Sequence, residues 1–164
     1  MNRTIILSGD IRSGKTTALQ EFSDHHECSG ALMPDIDGRR HFHLLGAEPK
    51  LLPAQATEDE KEDCIEVGRF RFYRSAFEMA NNSIVNAVDQ KASWIIIDEI
   101  GKLELKGEGL MRGFDYAMQN KDEESILLIT VRSSLLIDIM TQYRLADALV
   151  IDIADFRASI GELP

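Results

Sequence analysis

The feature that most limits how this chain can fold is a set of short apolar runs without the alternation of apolar and polar residues. These runs lie in Arg3–Ser8, Trp94–Ile97, Ile126–Ile129 and Ala148–Ile151. Segments with apolar residues at helical spacing lie between them. Strands that are apolar on both faces are typical of a parallel sheet that helices cover on both sides. The pattern therefore predicts an α/β fold with three layers, α/β/α, around a mostly parallel central sheet.

Two further strands are predicted after the first helix, at Gly30–Met33 and Arg39–Leu45. The segment between them, residues 34–38, has the sequence PDIDG, which favours a turn, so we expect a β-hairpin inserted at this point. Residues Gly46–Asp63 are polar and rich in acidic side chains, and we expect them to form a surface loop. The apolar spacing then predicts a helix over about Arg74–Gln90.

Length and charge exclude several classes of protein. A chain of 164 residues suffices for one ordinary domain, and we expect residues 1–164 to form a single domain. The formal net charge is −10, which argues against a protein that coats nucleic acid. No apolar run approaches the roughly 18 residues of a membrane span, so no membrane partner is expected. Cys28 and Cys64 form no C-x-x-C pair, which indicates free thiols and a cytoplasmic location.

The segment after the first predicted strand matches the phosphate-binding motif G-x-x-x-x-G-K-[ST]. The residues are Gly9, Asp10, Ile11, Arg12, Ser13, Gly14, Lys15 and Thr16. Glycines allow the backbone N–H groups to approach phosphate oxygens, and the following helix presents its positive end to the anion. Lys15 is expected to reach the β- and γ-phosphates and Thr16 to ligate Mg²⁺, while Thr17 donates to the α-phosphate. Residues 9–17 are therefore predicted to bind a nucleotide.

A second motif stands at the end of the apolar run Trp94–Ile97, where Asp98 and Glu99 follow directly. In a sheet of this kind the strand end lies beside the phosphate loop. We expect Asp98 to hold Mg²⁺ and Glu99 to orient and deprotonate the attacking water. The cofactor predicted from both motifs is Mg²⁺.

The segment Asp98–Leu105 resembles the D-E-I-G-K-M-E-L signature of a family of small P-loop nucleoside-triphosphatases, which has thermophile and human cancer-related members. Leu103 is the one difference. Gly38-Arg39-Arg40 is similar to a G-R-R turn of that family, Gly68-Arg69-Phe70 is similar to its next segment, and Thr130 stands where members keep a threonine. The resemblance implies a monomeric, Mg²⁺-dependent hydrolase that is slow and not very selective among nucleoside triphosphates.

Developing charge at the γ-phosphate requires cations. Lys102, three residues after the proposed base, is a candidate catalytic residue that reaches the site or pairs with Glu99. Arg12, Arg132 and Arg157 are candidates for an arginine finger, and the sequence does not choose among them.

Two other functions remain open at this point. One is a small-molecule kinase on the same fold, which needs an acceptor pocket and a basic lid. The other is a nucleotide-dependent switch or accessory ATPase. The absence of the N-K-x-D motif weakens a guanine-nucleotide switch, and the absence of an L-S-G-G-Q signature weakens an ATPase of the transporter type, without excluding either.

Overall fold

The computed structural model of the protein describes residues 3–159 and 162. The strands are β1 Thr4–Gly9, β2 Cys28–Leu32, β3 Asp35–Ile36, β4 Arg39–Leu45, β5 Lys50–Pro53, β6 Cys64–Val67, β7 Phe70–Tyr73, β8 Trp94–Ile100, β9 Ile126–Arg132 and β10 Leu149–Asp152. The helices are α1 Lys15–His25, α2 Arg74–Asp89, α3 Lys102–Leu105, α4 Met111–Asn120, α5 Leu136–Gln142 and α6 Ile153–Ser159, with a 3₁₀ turn at Ser133–Leu135.

One eight-stranded sheet organises the fold. Its strands lie in the order β10-β1-β9-β8-β2-β4-β3, and β5 pairs with β4. The pairs from β10 to β2 are parallel, whereas β4 runs antiparallel to β2, β3 and β5. The mostly parallel sheet and the hairpin insertion after the first helix are both confirmed. The turn predicted at residues 34–38 is shorter than expected, because Asp35–Ile36 forms β3 and pairs with Arg39 and Arg40 of β4.

Successive residues of β1 contribute to the cores on opposite faces of the sheet. Leu7 belongs to a buried cluster with Leu19 and Phe22 of α1, whereas Ile6 belongs to a second cluster with Ile84 of α2 and Phe114 of α4. Because these strands are apolar on both faces, helices must cover both, and the predicted three-layer α/β/α arrangement is confirmed.

The prediction of a loop over Gly46–Asp63 is wrong in part. Lys50–Pro53 forms β5, in which Leu52 lies opposite Phe42 of β4. The apolar signal of this strand is only Leu51-Leu52, which is too short to show a period. Prolines at its ends are compatible with a strand at the edge of a sheet, where one side of the backbone lacks a ladder. The acidic part of the segment, from Thr57 to Asp63, has no regular structure.

Further elements were not predicted. β6 and β7 form a separate two-stranded hairpin, and α6 follows β10 directly.

Among the described residues, no helix is long and apolar enough to cross a membrane. Cys28 and Cys64 are free thiols, and burial raises the pKa of Cys28 to about 12.

Candidate nucleotide-binding site

The phosphate loop of residues 9–16 joins β1 to α1 and turns at Ile11 and Arg12, of which Arg12 has a positive φ of +57°. Gly14 immediately precedes α1 and has a left-handed backbone, with φ of +92°. A β-carbon at Gly9 would lie 2.6 Å from the hydroxyl oxygen of Ser13, so a side chain at this position would require Ser13 to move. The Ser13 N–H donates to the Asp10 carbonyl over 3.2 Å. This path leads directly into the positive end of an 11-residue helix.

The Lys15 side chain folds back over the loop. Its Nζ donates to the carbonyl oxygens of Gly9 at 3.0 Å and Asp10 at 2.7 Å. Partial burial lowers the pKa of Lys15, while the nearby carboxylates of Glu99 and Asp98 act in the opposite direction. Lys15 is thus a cation at the loop whose charged group contacts neutral carbonyls, and a phosphate can replace those contacts.

Asp98 is the buried centre of the site, with no exposed surface. One carboxylate oxygen, Oδ2, accepts hydrogen bonds from the Thr16 hydroxyl at 2.7 Å and the Met33 N–H at 3.0 Å. The other oxygen, Oδ1, accepts a hydrogen bond from the Thr130 hydroxyl at 2.5 Å. The structure therefore brings together the two residues predicted to hold a metal, Thr16 and Asp98, although they are 82 positions apart.

Asp98 and Glu99 lie in a bulge of β8. Ile97 and Ile100 pair with Ile129 and Val131 of β9, so β8 carries one residue more than its partner between these pairs. Glu99 takes the strained conformation that this requires, with φ of +62°. Its N–H donates to the Thr130 hydroxyl at 2.7 Å, which fixes the bulge to the neighbouring strand.

The Glu99 carboxyl is partly exposed, at 37% of its side-chain surface, and forms an ion pair with Arg40 of β4. Arg40 Nη1 lies 2.5 Å from Glu99 Oε1, and Oε2 has no hydrogen-bond partner within the described part of the chain. Removal from water raises the pKa of Glu99 and the Asp98 carboxylate raises it further, whereas Arg40 and Arg132 lower it. One carboxylate oxygen is thus held in place and the other is available.

The remaining predicted residues differ in their surroundings. Four of them are exposed on the loop and the first turn of α1, namely Asp10, Ile11, Arg12 and Thr17. Arg132 is close enough to affect the pKa of both Lys15 and Glu99. Arg157 of α6 approaches the other side of the loop, with Nη2 3.4 Å from the Gly14 carbonyl.

Lys102 is exposed at the first position of α3. The partner of Glu99 is Arg40, so the pairing of Lys102 with Glu99 is not what the structure shows. The other part of that hypothesis, in which Lys102 reaches a bound nucleotide, stays a prediction.

The second half of the segment Asp98–Leu105 has a structural role. Glu104 is buried, and its oxygens accept hydrogen bonds from the N–H groups of Gly101 at 2.8 Å and Leu110 at 2.9 Å. Burial raises the pKa of Glu104, and these N–H groups oppose that effect. The carboxyl fixes α3 and the loop that follows it.

Arg40 and the Met33 N–H contact Glu99 and Asp98, and the sequence alone predicts neither contact. Arg40 stands out in the sequence only as part of the Gly38–Arg40 turn, and a backbone N–H leaves no trace in side-chain identity. That Arg40 lies near the end of β8 depends on the pairing of β4 with β2 and of β2 with β8, which the residue types do not show.

The chain has the fold of a P-loop NTPase. Its features are the parallel sheet, the phosphate loop between β1 and α1, and the acidic pair Asp98 and Glu99 at the end of β8. Residues 4–155 match the NTPase family, so the chain belongs to that family, whose general reaction is hydrolysis of nucleoside triphosphates. The resemblance noted from the segment Asp98–Leu105 is thereby confirmed.

Two solved structures have the same fold. THEP1 from the hyperthermophile Aquifex aeolicus is similar with a TM-score of 0.68 and 23% identity, covering 92% of this chain and 89% of that chain. The solution structure of a human cancer-related nucleoside triphosphatase is similar with a TM-score of 0.67 and 20% identity, and the match covers 98% of this chain and 94% of that chain. No curated protein matches the sequence.

Proposed function

We propose that the protein hydrolyses nucleoside 5′-triphosphates to the diphosphate and phosphate, with Mg²⁺ as cofactor and Glu99 as general base. One observation carries this proposal: the two adjacent acids at the end of β8 have opposite environments. Asp98 is fully buried and bonded to Thr16, whereas Glu99 is partly exposed with one oxygen unpaired within the described chain. A metal ligand and a base for water require this division.

The donor atoms fit Mg²⁺. Thr16 and Asp98 offer a hydroxyl and a carboxylate oxygen 2.7 Å apart, and hard oxygen donors are the ligands that this ion prefers. Among the described residues no group of three or more His, Cys, Asp or Glu side chains could hold a metal, so phosphate oxygens and water are needed to complete the shell. When bound, Mg²⁺ neutralises charge on the β- and γ-phosphates.

The residues of the chain divide the remaining work. Lys15 exchanges its carbonyl contacts for the β- and γ-phosphate oxygens, and the N–H groups of residues 9–17 bind the phosphates. Glu99 Oε2 takes a proton from water as the water oxygen attacks the γ-phosphorus. The bond from that phosphorus to the bridging oxygen then breaks, and the diphosphate leaves with the electron pair.

From the resemblance of the segment Asp98–Leu105 we infer a slow, broadly specific enzyme that acts as a monomer. The length of 164 residues supports a single domain, and the free thiols Cys28 and Cys64 support a cytoplasmic location. The sequence lacks the guanine-selective N-K-x-D motif, which agrees with low selectivity among bases.

A turnover panel tests the proposal. Phosphate release is measured with ATP, GTP, CTP, UTP and their deoxy forms, with Mg²⁺ and with excess chelator. We expect turnover with several bases, its loss on chelation, and a fall in kcat of about 10²–10⁴ in Glu99→Gln. The matched control is Glu123→Gln. Glu123 is exposed and lies just before β9, at the end of the strands opposite to Glu99, so this variant should keep the parent rate.

Full activity of Glu99→Gln would refute the assignment of the base. Phosphate transfer to added nucleosides or other acceptors, in place of release to water, would establish the kinase instead. Tight nucleotide binding without turnover would point to the switch.

A further inference from the structure

Arg40 joins the hairpin insertion to the site. It lies on β4, which is antiparallel to β2, and its side chain is about two-thirds buried. Its Nη1 donates to Glu99 Oε1 at 2.5 Å and to the Met33 carbonyl at 3.3 Å. The guanidinium thus bridges a side chain of β8 and the backbone just after β2.

Met33 makes this bridge part of a closed path. While its carbonyl accepts from Arg40, its N–H donates to Asp98 Oδ2 at 3.0 Å. Both acids of the pair are therefore connected to the same backbone residue, Asp98 directly and Glu99 through Arg40. Such a path fixes the relative position of the two carboxylates.

The neighbouring arginine has a different task. Arg39 Nε donates to the Gln55 carbonyl at 2.8 Å, and its Nη2 donates to the Tyr73 hydroxyl at 3.1 Å and lies 3.7 Å from Glu60. Adjacent residues of a strand point to opposite faces. Arg39 thus anchors the hairpin on one face, and Arg40 contacts Glu99 on the other.

We propose that Arg40 is a positioning residue for hydrolysis, which holds one oxygen of Glu99 so that the other can receive the proton of the attacking water. Glu99 stands on a strained bulge with a long side chain, and Arg40 is the one hydrogen-bond partner of its carboxyl among the described residues. Without Arg40 the carboxylate samples several rotamers, and a displacement of about 1 Å from the productive position can cost about 10²-fold in rate. This inference rests on the proposed function.

A double-mutant cycle on the full-length protein tests it. The variants are Arg40→Gln, Glu99→Gln and the double variant, and kcat and KM for ATP are measured with Mg²⁺. We expect Arg40→Gln to lower kcat by about 10- to 100-fold and to change KM less than about threefold, because Arg40 acts through Glu99. In the Glu99→Gln background the same substitution should change kcat by less than about twofold.

Three outcomes overturn the inference. The first is a kcat for Arg40→Gln within about twofold of the parent. The second is an equal fall in the parent and in Glu99→Gln, and the third is a rise in KM with kcat unchanged, since either of these would mean that Arg40 contacts the nucleotide directly. The proposed function fails separately, if the parent releases no phosphate or Glu99→Gln is fully active.

Two more variants separate positioning from folding. Arg39→Gln removes the same charge from the adjacent position, and we expect it to lower the melting temperature while leaving kcat unchanged. Arg40→Lys keeps the charge but cannot keep both contacts of the guanidinium, so we expect a kcat between those of the parent and Arg40→Gln. A parent-like kcat in Arg40→Lys contradicts the proposal, even if Arg40→Gln does not fold.

Discussion

Glu99 and Glu104 belong to the same segment, residues 98–105, and differ in what satisfies their charge. Glu104 is 3% exposed, and backbone N–H groups of Gly101 and Leu110 bind its two oxygens. Glu99 is partly exposed and held through one oxygen by Arg40, from a distant element. Both oxygens of Glu104 are thus bound by backbone groups of its own helix and the next loop, whereas one oxygen of Glu99 has no partner among the described residues.

Burial raises the pKa of both carboxyls, so a perturbed pKa does not distinguish them. A perturbed pKa is often taken as a sign of a catalytic group. In this segment the hydrogen-bond partners of the two carboxyls distinguish them. Glu104 binds the backbone of its own helix and the next loop, which favours a structural role, whereas Glu99 is held by the side chain of Arg40, which agrees with the role proposed for it.

The largest expected effects come from the same substitution at both positions. Glu104→Ala leaves two N–H groups without their acceptor and should lower the free energy of unfolding by about 3 kcal/mol. Glu99→Ala removes one partly exposed ion pair and should cost less than about 1 kcal/mol, but it should lower kcat by about 10²–10⁴. Urea unfolding and phosphate release measure the two quantities.

These results would reverse if the assignment were wrong. A stable Glu104→Ala with impaired turnover would make Glu104 a functional residue. An unfolded Glu99→Ala would make Glu99 a structural one.

The parts of the fold that could be predicted from the sequence are those with repeated or strongly apolar signals. The buried strands, the hairpin and α2 depend on residue types in a local pattern. The strand β5 could not be predicted, because its apolar residues Leu51-Leu52 are too few to show a period. It is stabilised by pairing with β4, and the local sequence does not show that pairing.

The site divides in the same way. Lys15, Thr16, Asp98 and Glu99 could be named because phosphate and metal chemistry demand those residue types at those spacings. Arg40 could not, since its role depends on the register between β2 and β4 and on the bulge at Glu99. Whether these residues act as named stays a prediction for the variants above.

A smaller effect is expected at the glycine beside Glu104. Gly109 has a φ of +64°, and a β-carbon there would lie 2.4 Å from Glu104 Oε1 and 2.9 Å from Leu103 Cβ. Gly109→Ala should therefore lower the free energy of unfolding by about 2 kcal/mol, through backbone strain and displacement of the buried carboxyl.

Gly107 is the matched control, because its φ is +78° and a β-carbon there meets nothing within 4 Å. Gly107→Ala should cost only the backbone strain, about 1 kcal/mol. Thermal unfolding of both variants measures the difference. Equal losses would show that Glu104 tolerates displacement and that its contacts matter less than the comparison with Glu99 implies.

The smallest expected effect is a pH dependence of stability, because it concerns a single proton. Burial raises the pKa of Glu104 in the folded protein above its ordinary value of 4.5. Between these two pKa values the folded state holds a proton that the unfolded state has lost. The stabilisation is therefore complete below the ordinary value and is lost as the pH rises through the folded value.

Glu104→Gln has no such proton, so its free energy of unfolding should fall less than that of the parent between about pH 5 and about pH 8. Glu99, whose pKa is raised as well, is present in both proteins and cancels in the comparison. Urea unfolding at several pH values gives the two profiles. Parallel profiles would mean that Glu104 ionises in the folded protein as it does in the unfolded chain, because the N–H groups of Gly101 and Leu110 offset the whole effect of burial.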